Sequence, residues 1–593
     1  ENEVYSFNWI SNERLVFEMK DRNNFPNGGL YAVDRDGSRH KVLNPSFKTY
    51  REFGSRVFKA VELFDPLRDE GGDILVSVRK GGGRFREERA FYGNIVRLNT
   101  FTAKEKRVVF NRGDILQFVA DREKVIRIGV AQHGLIRTIL HRRNPESDWE
   151  EIYSADFRTA MEPLGFGTNP DILYVAALNG DKRALFQYDL KARKLGRMIF
   201  AHPTYDVPAG PPIVSDKTGK VLGVRYEAER PQVYWFDEDY KNYQAMIDNA
   251  LPGMANDIKN WSKKEDRILF HSHSEKTIGS YYLLDISDKK KPKMEKLLDL
   301  AEWIDPAKMS PMKPIQYTAR DGLVIHGFLT IPNGSDGKNL PLIVHPHGGP
   351  SARDYWGWNK EVQFLANRGY AVFQPNFRGS TGYGTAFSKQ HTGNYTDPEF
   401  TDLVDAKRAL VAEGIADADR TGVTGGSYGG YATAWSSTRW SEEFAAGVMF
   451  VGISNQVSKF GTGDIPYEMY NVHSGKWPWD DWMAMLEVSP IFHVDKASTP
   501  LLIMHGEEDT RVDPGQSLEL YRAMKIRKPD VPVRLVFYPG EGHGNRKAAA
   551  RYDYNLRMMR WFDTYLKTGD RDAALPPERP ELPAGTTGVS SDD

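Results

Sequence analysis

The stretch that decides the fold is TGVTGGSYGGY, residues 421–431. It contains the pattern Gly-x-Ser-x-Gly, with Ser427 at the centre. A short β-prone run precedes the pattern, and a helix-compatible run, residues 431–439, follows it. A strand, a sharp turn and a helix in that order form a nucleophile elbow, where small flanking residues let the backbone turn tightly. The stretch therefore predicts a reactive serine at the start of a helix, whose positive end favours an oxyanion.

The surroundings of this pattern matter, because by itself it also fits an ordinary glycine-rich surface turn. From residue 309 onward, strand-like runs alternate with helical segments of roughly 10–15 residues. Residues 340–345 form an apolar run that is typical of a strand buried on both faces. This alternation predicts an α/β-hydrolase domain over residues 309–577, with a parallel sheet wrapped by helices.

The apolar run leads into His347-Gly348-Gly349-Pro350. Two consecutive glycines let backbone N–H groups approach a ligand closely. In α/β-hydrolases this loop supplies one oxyanion donor, and the residue after the nucleophile supplies the other. We therefore expect the N–H of Tyr428 and one from Gly348 or Gly349 to form an oxyanion hole, with a plain turn as the alternative.

A serine of this kind needs an acid and a histidine, which follow it in that chain order. Asp509 follows a predicted strand and is the candidate acid, because loops at the carboxyl ends of strands carry functional groups. Glu508 and Asp513 are its rivals. His543 follows the next predicted strand and is the only histidine after Asp509. The ordinary pKa of a histidine side chain suits proton transfer near neutrality, so the three elements predict a serine hydrolase.

The first half of the chain, residues 1–308, consists of many short strand-like runs. Several units share an aromatic or apolar run that ends in an acidic turn, and they recur about every 45–50 residues. Loose repeats of this length in an all-β region predict propeller blades. About six units are recognisable, and seven is the usual number. We therefore expect a seven-bladed propeller whose missing unit precedes Glu1, with a β-sandwich or two unrelated β domains as the alternative.

Composition narrows the classes of function. The formal net charge of −1 gives no reason to expect a nucleic acid or an anionic membrane as partner. The absence of cysteine excludes disulfides, thiolate zinc sites and a cysteine nucleophile, and no other metal or cofactor is expected. No apolar run approaches the roughly 18–20 residues of a membrane span. Because the chain begins at Glu1, we expect that an upstream segment was removed, which slightly favours a periplasmic or secreted protein.

Several motifs resemble the prolyl oligopeptidase family of serine peptidases. They are NFRGSTGYG at residues 376–384, GGSYGG at 425–430, SPI at 489–491 and HGEED at 505–509. The resemblance is dense in the hydrolase half and extends to the propeller only as an architecture. It implies a triad of Ser427, Asp509 and His543, and a propeller that admits short or unfolded peptides. It also implies that homodimers or larger homo-oligomers are possible.

One position departs from part of that family. His347 stands where prolyl oligopeptidases and dipeptidyl peptidases have a tyrosine whose hydroxyl helps the oxyanion hole. The chain is therefore more similar to the acylaminoacyl branch, and the resemblance implies an acylaminoacyl peptidase or oligopeptidase acting on short peptides. A dipeptidyl peptidase and an esterase on the same scaffold are the alternatives. A propeller binding protein with an inactive hydrolase domain is disfavoured, because the triad is complete.

The resemblance also suggests where substrate binds, and His347 is one candidate residue of the substrate pocket. Tyr467 and Tyr470 are candidate walls of an apolar slot, against ordinary packing. Arg511 is a candidate ligand for a substrate carbonyl or carboxylate, against a salt bridge within its loop. Glu87 and Glu88 are a candidate pair for a substrate amino terminus, against a surface loop. The tail, residues 578–593, is rich in Pro, Gly, Ser and Asp and is predicted to be weakly ordered.

Overall fold

The structure is a computed structural model of the chain. It describes residues 2–21, 29–46, 58–68, 71–81, 93–391, 396–568, 570 and 573–578. The candidate carboxylates Glu87 and Glu88, and the tail beyond residue 578, lie outside the described residues.

The described residues up to Asp299 form six antiparallel sheets, each built from strands that are consecutive in the chain. The first three sheets comprise β1 (Asn2–Trp9), β2 (Arg14–Asp21), β3 (Leu30–Asp34), β4 (Lys41–Asn44), β5 (Phe58–Asp65), β6 (Asp73–Gly81), β7 (Asn94–Asn99), β8 (Glu105–Val109), β9 (Ile115–Ala120), β10 (Ile126–His133), β11 (Ile136–His141) and β12 (Glu150–Asp156). The next three comprise β13 (Glu162–Phe166), β14 (Ile172–Asn179), β15 (Lys182–Asp189), β16 (Lys194–Phe200), β17 (Ile213–Val214), β18 (Val221–Glu227), β19 (Pro231–Trp235), β20 (Ala255–Trp261), β21 (Arg267–Ser274), β22 (Thr277–Asp285) and β23 (Lys293–Asp299). Helix α1 (Glu238–Ala250) follows β19.

This region is a propeller with a six-blade arrangement. The predicted propeller is confirmed, but the predicted count of seven is wrong. The error has a simple origin, because the sequence repeats showed about six units and the seventh came from the usual blade number. Each blade has four strands, except that the fifth sheet, β17–β19, has three.

The blades pack face to face through alternating residues, as the period of two in a strand requires. Ile74 and Val76 of β6 lie in one cluster with Val16 of the first sheet. Leu75, between them, lies in another cluster with Ile126 of the third sheet. One strand therefore contributes to two cores, and neighbouring blades bury faces that a single blade would expose.

The chain divides into two compact units. One consists of Glu1–Pro203 and Val207–Val224, and the other of Thr204–Asp206 and Arg225–Asp593. The change from blade sheets to the hydrolase sheet lies between Asp299 and Met312, the segment in which the sequence predicts a domain boundary. The sixth blade thus belongs to the same compact unit as the hydrolase sheet.

The hydrolase sheet has eight strands in the order β24-β25-β27-β26-β28-β29-β30-β31. They are β24 (Met312–Thr318), β25 (Val324–Thr330), β26 (Leu340–Val344), β27 (Ala371–Asn376), β28 (Ala416–Gly426), β29 (Ala446–Phe450), β30 (Leu501–Gly506) and β31 (Val533–Tyr538). The pairs β24–β25 and β25–β27 are antiparallel, and the remaining pairs are parallel. Leu342 and Val344 belong to one core cluster and Ile343 to another, so β26 is buried on both faces as its apolar run predicts.

The helices of this part connect the strands. They are α2 (Lys360–Asn367), α3 (Thr385–Ser388), α4 (Thr401–Ala412), α5 (Tyr428–Thr438), α6 (Gln456–Thr462), α7 (Pro466–Glu468), α8 (Trp482–Glu487), α9 (Gly515–Arg527) and α10 (Ala548–Phe562). Shorter helical turns are Pro306–Lys308, Lys389–His391, Ser441–Glu443, Met469–Ser474, Pro478–Asp480, Pro490–Lys496 and Asp563–Lys567. Among the residues that the structure describes, no helix combines the length and the apolar character that crossing a membrane demands.

Candidate active site

The turn around Ser427 has the geometry of a nucleophile elbow. Strand β28 ends at Gly426, helix α5 begins at Tyr428, and Ser427 between them has φ 60° and ψ −118°. A non-glycine residue rarely adopts such a backbone, and such strain is typical of functional sites. A Cβ at Gly429 would lie 2.2 Å from the carbonyl oxygen of Pro346, so only glycine fits there. The two glycines of the motif thus let the helix start directly against the loop after β26.

That loop approaches the elbow closely. A Cβ placed on Gly348 would lie 3.4 Å from Cβ of Ser427 and 4.0 Å from the backbone nitrogen of Tyr428. Gly349 has φ +129°, a conformation that favours glycine. The structure therefore places Gly348 close to Ser427 and to the backbone nitrogen of Tyr428. Gly348 and Tyr428 are two of the residues from which the sequence predicts the oxyanion donors.

His347 lies beneath this loop rather than on an open surface. Its ring stacks on Phe377 with centroids 4.4 Å apart, and its Nε2 is 2.8 Å from Oγ of Ser380. The side chain is buried, and that burial lowers the pKa of His347. His347 thus holds the glycine loop against the NFRGS segment, and its predicted place in the substrate pocket stays a prediction.

Asp509 and His543 are hydrogen-bonded. Nδ1 of His543 lies 2.8 Å from Oδ2 of Asp509. Oδ1 of Asp509 accepts the backbone N–H groups of Arg511 and Val512 at 2.9 and 3.0 Å. The histidine therefore pairs with Asp509, while the two rival acids, Glu508 and Asp513, form no ion pair with it in the described part of the chain.

A second histidine also contacts this carboxylate. Nε2 of His505 lies 3.2 Å from Oδ2 of Asp509 and 2.8 Å from the carbonyl of Val512, and its Nδ1 lies 2.6 Å from Oγ of Ser517. Burial alone raises the pKa of Asp509, but the hydrogen bonds from His505 and His543 outweigh it and lower that pKa to about 2. The carboxylate is thus ionised at neutral pH. The sequence assigned no role to His505; its position at the end of β30, four residues before Asp509, was the available signal.

The topology explains why Ser427, Asp509 and His543 lie at one edge of the sheet. Ser427, Asp509 and His543 follow β28, β30 and β31, which lie in one parallel stretch of the sheet. The carboxyl ends of parallel strands share one edge, where such folds place their functional groups. The side chain of His543 is 29% exposed, so the protein does not fully enclose its ring.

Tyr428 is anchored by a buried carboxyl that the sequence did not reveal. Its hydroxyl donates to Oε2 of Glu399 at 2.7 Å, and both side chains are buried. Burial raises the pKa of Glu399 to about 8, and the hydrogen bond from Tyr428 only partly opposes this. The residue next to the serine is therefore fixed at both ends, by its backbone in α5 and by its hydroxyl.

The segment between elbow and acid carries an aromatic cluster. Tyr470 stacks on Trp477 at 4.4 Å, Trp477 stacks on Trp479 at 5.3 Å, and Tyr467 meets Trp477 edge-on at 5.7 Å. Tyr467 is 51% exposed, so part of its ring remains available to a ligand. The geometry shows packing for both tyrosines, and their role as pocket walls stays a prediction.

Arg511 forms a salt bridge. Its Nε lies 2.7 Å from Oδ1 of Asp464, and both side chains are nearly half exposed. The sequence left open a salt bridge within the loop of Arg511, whereas the partner observed is 47 residues away in the chain, after α6. A role in binding substrate would require Arg511 to leave or share this partner.

One group of residues in the sixth blade has a spacing that suits a metal ion. Asp257, His271 and His273 place one ligand atom each within 4.8 Å of one another. The carboxylate already pairs with His273 at 3.3 Å and with Nζ of Lys259 at 3.1 Å. An ammonium at that distance competes with a metal cation, and the carboxylate of Asp257 already has hydrogen-bond partners in Lys259 and His273.

The family profile described as the prolyl oligopeptidase family matches residues 356–569, which contain Ser427, Asp509 and His543. Residues 356–569 of the chain thus form a domain of this family. The chain is a serine-type peptidase, and the resemblance seen in the sequence motifs is confirmed.

Similar proteins cover the chain to different extents. The dipeptidyl aminopeptidase BIII of Pseudoxanthomonas mexicana is 27% identical over 564 residues, 91% of this chain and 77% of that protein. The acylamino-acid-releasing enzyme of Rattus norvegicus is 33% identical over 242 residues, 40% of this chain and 32% of that protein. A puromycin-hydrolyzing peptidase of Mycobacterium tuberculosis, of known structure, superposes with a TM-score of 0.70 at 18% identity, covering 95% of this chain and 86% of that one. This last likeness shows the fold.

Proposed function

We propose that this prolyl oligopeptidase family member hydrolyses amide bonds in short peptides, with Ser427 as nucleophile, His543 as general base and acid, and Asp509 as orienting acid. The observation that carries the proposal is the His543–Asp509 hydrogen bond of 2.8 Å at the same sheet edge as the strained elbow of Ser427. The ionised Asp509 accepts Nδ1–H of His543, which leaves Nε2 as the basic nitrogen.

The chemistry proceeds in two steps. Oγ of Ser427 attacks the scissile carbonyl while Nε2 of His543 takes its proton, and a tetrahedral oxyanion forms. The C–N bond then breaks as His543 gives that proton to the leaving amine, which yields an ester on Ser427. A water molecule attacks this ester with His543 again as base, and the serine is restored.

Backbone donors stabilise the oxyanion. The N–H of Tyr428 is the first, and the N–H of Gly348 or Gly349 is the second. The close approach of Gly348 to Ser427 supports this pairing, since a Cβ on Gly348 would lie only 3.4 Å from Cβ of the serine. Loss of one such donor typically costs about 2.7–4 kcal/mol of transition-state stabilisation.

Two subtypes fit the chain. We propose first an acylaminoacyl peptidase or oligopeptidase, because the His347-Gly348-Gly349-Pro350 loop lacks the tyrosine of the other branches. A dipeptidyl peptidase is the second candidate. The relative that matches over 91% of this chain, propeller included, is named a dipeptidyl aminopeptidase. The match to the acylamino-acid-releasing enzyme covers only 40% of the chain.

Initial rates on three chromogenic series test these proposals, with Ser427→Ala as the inactive control. The series are dipeptides with a free amino group, N-acetyl amino acids, and longer peptides with a blocked amino terminus. Cleavage of the free dipeptides alone supports the dipeptidyl subtype. Cleavage of the acetylated or blocked series supports the first subtype. Hydrolysis of esters but of none of the three amide series would overturn the peptidase proposal and leave an esterase.

A further inference from the structure

Lys459 on α6 is a buried lysine. Its side chain is 2% exposed, and the described part of the chain offers its ammonium no hydrogen bond and no ion pair. Lys407, the other lysine in the buried set of the described residues, donates to the carbonyl of Glu443 and pairs with its carboxylate. Within the described residues, Lys407 therefore has a hydrogen-bond and ion-pair partner for its ammonium, and Lys459 does not.

The position of Lys459 links it to the proposed active site. Gly463 packs between the carbonyl oxygens of Lys459 and Arg511, since a Cβ there would lie 3.1 Å from each. The backbone N–H of Asp464 donates to the carbonyl of Thr510 at 3.0 Å, so the end of α6 is tied to the loop that carries Asp509. Helix α6 therefore lies directly against the acid loop.

His473 lies near both Lys459 and the elbow. The charge of Lys459 acts on His473, and burial together with that charge lowers the pKa of His473. The ring of His473 meets the ring of Tyr428 edge-on at 5.6 Å. Lys459 thus lies near the acid loop and near a histidine that contacts the residue after the nucleophile.

An unpaired buried ammonium is costly unless it neutralises or gains an anion. Burial lowers the pKa of Lys459 to about 8, with Glu468 as the largest opposing charge, so the group still carries its proton at pH 7. A carboxylate of a ligand would provide the missing hydrogen bonds, and a charge-assisted pair of this kind is stronger than a neutral one.

We propose that Lys459 determines specificity by binding a carboxylate of the peptide substrate. The carboxylate comes either from an acidic side chain next to the scissile bond or from the free carboxyl terminus of a short peptide. This inference rests on the proposed function and differs from the apolar slot that the aromatic residues of the segment suggest. Under this proposal, Lys459 gives the substrate slot a positive charge.

The test is a binding experiment that needs no turnover. Isothermal titration calorimetry on Ser427→Ala protein measures the affinities of three peptides at pH 7. Ala-Ala-Glu-amide offers only a side-chain carboxylate, Ala-Ala-Gln offers only a terminal carboxylate, and Ala-Ala-Gln-amide offers neither. We expect one of the first two to bind about 10–100-fold more tightly than the third.

Lys459→Met in the same background should abolish that preference, because methionine fills the space without a charge. Lys476→Met is the matched control: Lys476 belongs to the same segment but is exposed and paired with Asp481. It should leave the preference intact. Equal affinity for all three peptides before substitution, or an unchanged preference in Lys459→Met, overturns the proposal.

A second measurement covers a variant that fails to fold. With Lys459 intact, the preference over Ala-Ala-Gln-amide should weaken as the pH rises above 8 and the ammonium loses its proton. All three peptides carry the same free amino terminus, so its titration cancels in this ratio of affinities. The other charges that act on Lys459 are Glu468, Asp464, Asp509 and Arg511. Asp509 stays ionised throughout this range, since its pKa is about 2. A preference that persists unchanged at pH 10 contradicts the assignment. Failure of the proposed function appears separately, as absent hydrolysis by the unsubstituted protein.

Discussion

The contact between Tyr428 and Glu399 predicts a pH-dependent stability that one substitution removes. Glu399 is 0% exposed, and burial raises its pKa from 4.5 to about 8. Between these values the unfolded chain releases a proton that the folded chain keeps. Because the folded-state pKa is the higher one, the stabilisation is fully present below pH 4.5 and is lost as the pH rises through 8.

The size of the change in unfolding free energy follows from the difference between the two pKa values of Glu399. A separation of about 3.5 pH units corresponds to about 5 kcal/mol of unfolding free energy at about 1.36 kcal/mol per unit. Little of it is lost at pH 5 and most of it at pH 8, which leaves a change of about 3.5 kcal/mol between these two conditions. Asp402, whose pKa burial raises to about 6, is present in both proteins and cancels to first order.

Glu399→Gln is the perturbation. Glutamine stays neutral at every pH, and its amide oxygen still accepts the Tyr428 hydroxyl. We expect the variant to gain about 3.5 kcal/mol over the parent protein on going from pH 5 to pH 8. Urea unfolding followed by tryptophan fluorescence at several pH values measures this difference.

Glu413→Gln is the control, because Glu413 follows α4 and is exposed. Its stability difference from the parent should not vary with pH. A Glu399→Gln difference that changes by less than about 1 kcal/mol between pH 5 and pH 8 would refute the assignment of a buried, protonated carboxyl under the elbow.

Three further substitutions probe the elbow and the acid. Ser427→Gly should be more stable than Ser427→Ala by about 1–3 kcal/mol, because glycine tolerates a φ of 60°; equal urea midpoints would contradict this. Gly429→Ala should lower the free energy of unfolding by about 1–3 kcal/mol, because its Cβ would lie 2.2 Å from the carbonyl oxygen of Pro346. Gly426→Ala is the control, because a Cβ there would lie 3.6 Å from its nearest neighbour. A lower Tm for Gly426→Ala than for Gly429→Ala would contradict this prediction. Asp509→Asn should lower kcat about 10⁴-fold with little change in KM, because asparagine favours the wrong histidine tautomer; a loss below about 10-fold would remove Asp509 from the proposed triad.

The sequence sufficed for the parts of the site that follow a local rule. The elbow is a contiguous motif, and the glycines around Ser427 indicate the tight turn of its backbone. Asp509 and His543 were found because each follows its own strand, and the parallel order of those strands brings their ends together. The hydrogen bond of His543 to Asp509 rather than to Glu508 is visible only in the structure. Neighbouring acids in one loop have the same place in the sequence pattern, and only the orientation of their side chains distinguishes them.

Other features depend on packing between distant segments. Glu399 and Tyr428 are 29 residues apart in the chain, and no sequence pattern near Glu399 predicts its hydrogen bond to the Tyr428 hydroxyl. Lys459 appears in the sequence as one more charged residue, and only its burial sets it apart. The predicted blade number was wrong for a different reason. The prediction used the usual number of blades in a propeller instead of the six repeat units that are recognisable in this sequence.

The stacked indoles of Trp477 and Trp479 give the segment around α6 an optical signature. Their rings are nearly parallel, at 10°, with centroids 5.3 Å apart, and Phe460, the neighbour of Lys459, meets Trp477 edge-on at 5.2 Å. Two indoles in such an arrangement couple their electronic transitions and produce a paired circular dichroism band whose sign depends on their relative twist. A peptide that enters beside Lys459 and shifts Phe460 would change that band, so occupancy of the site can be followed on the unlabelled enzyme.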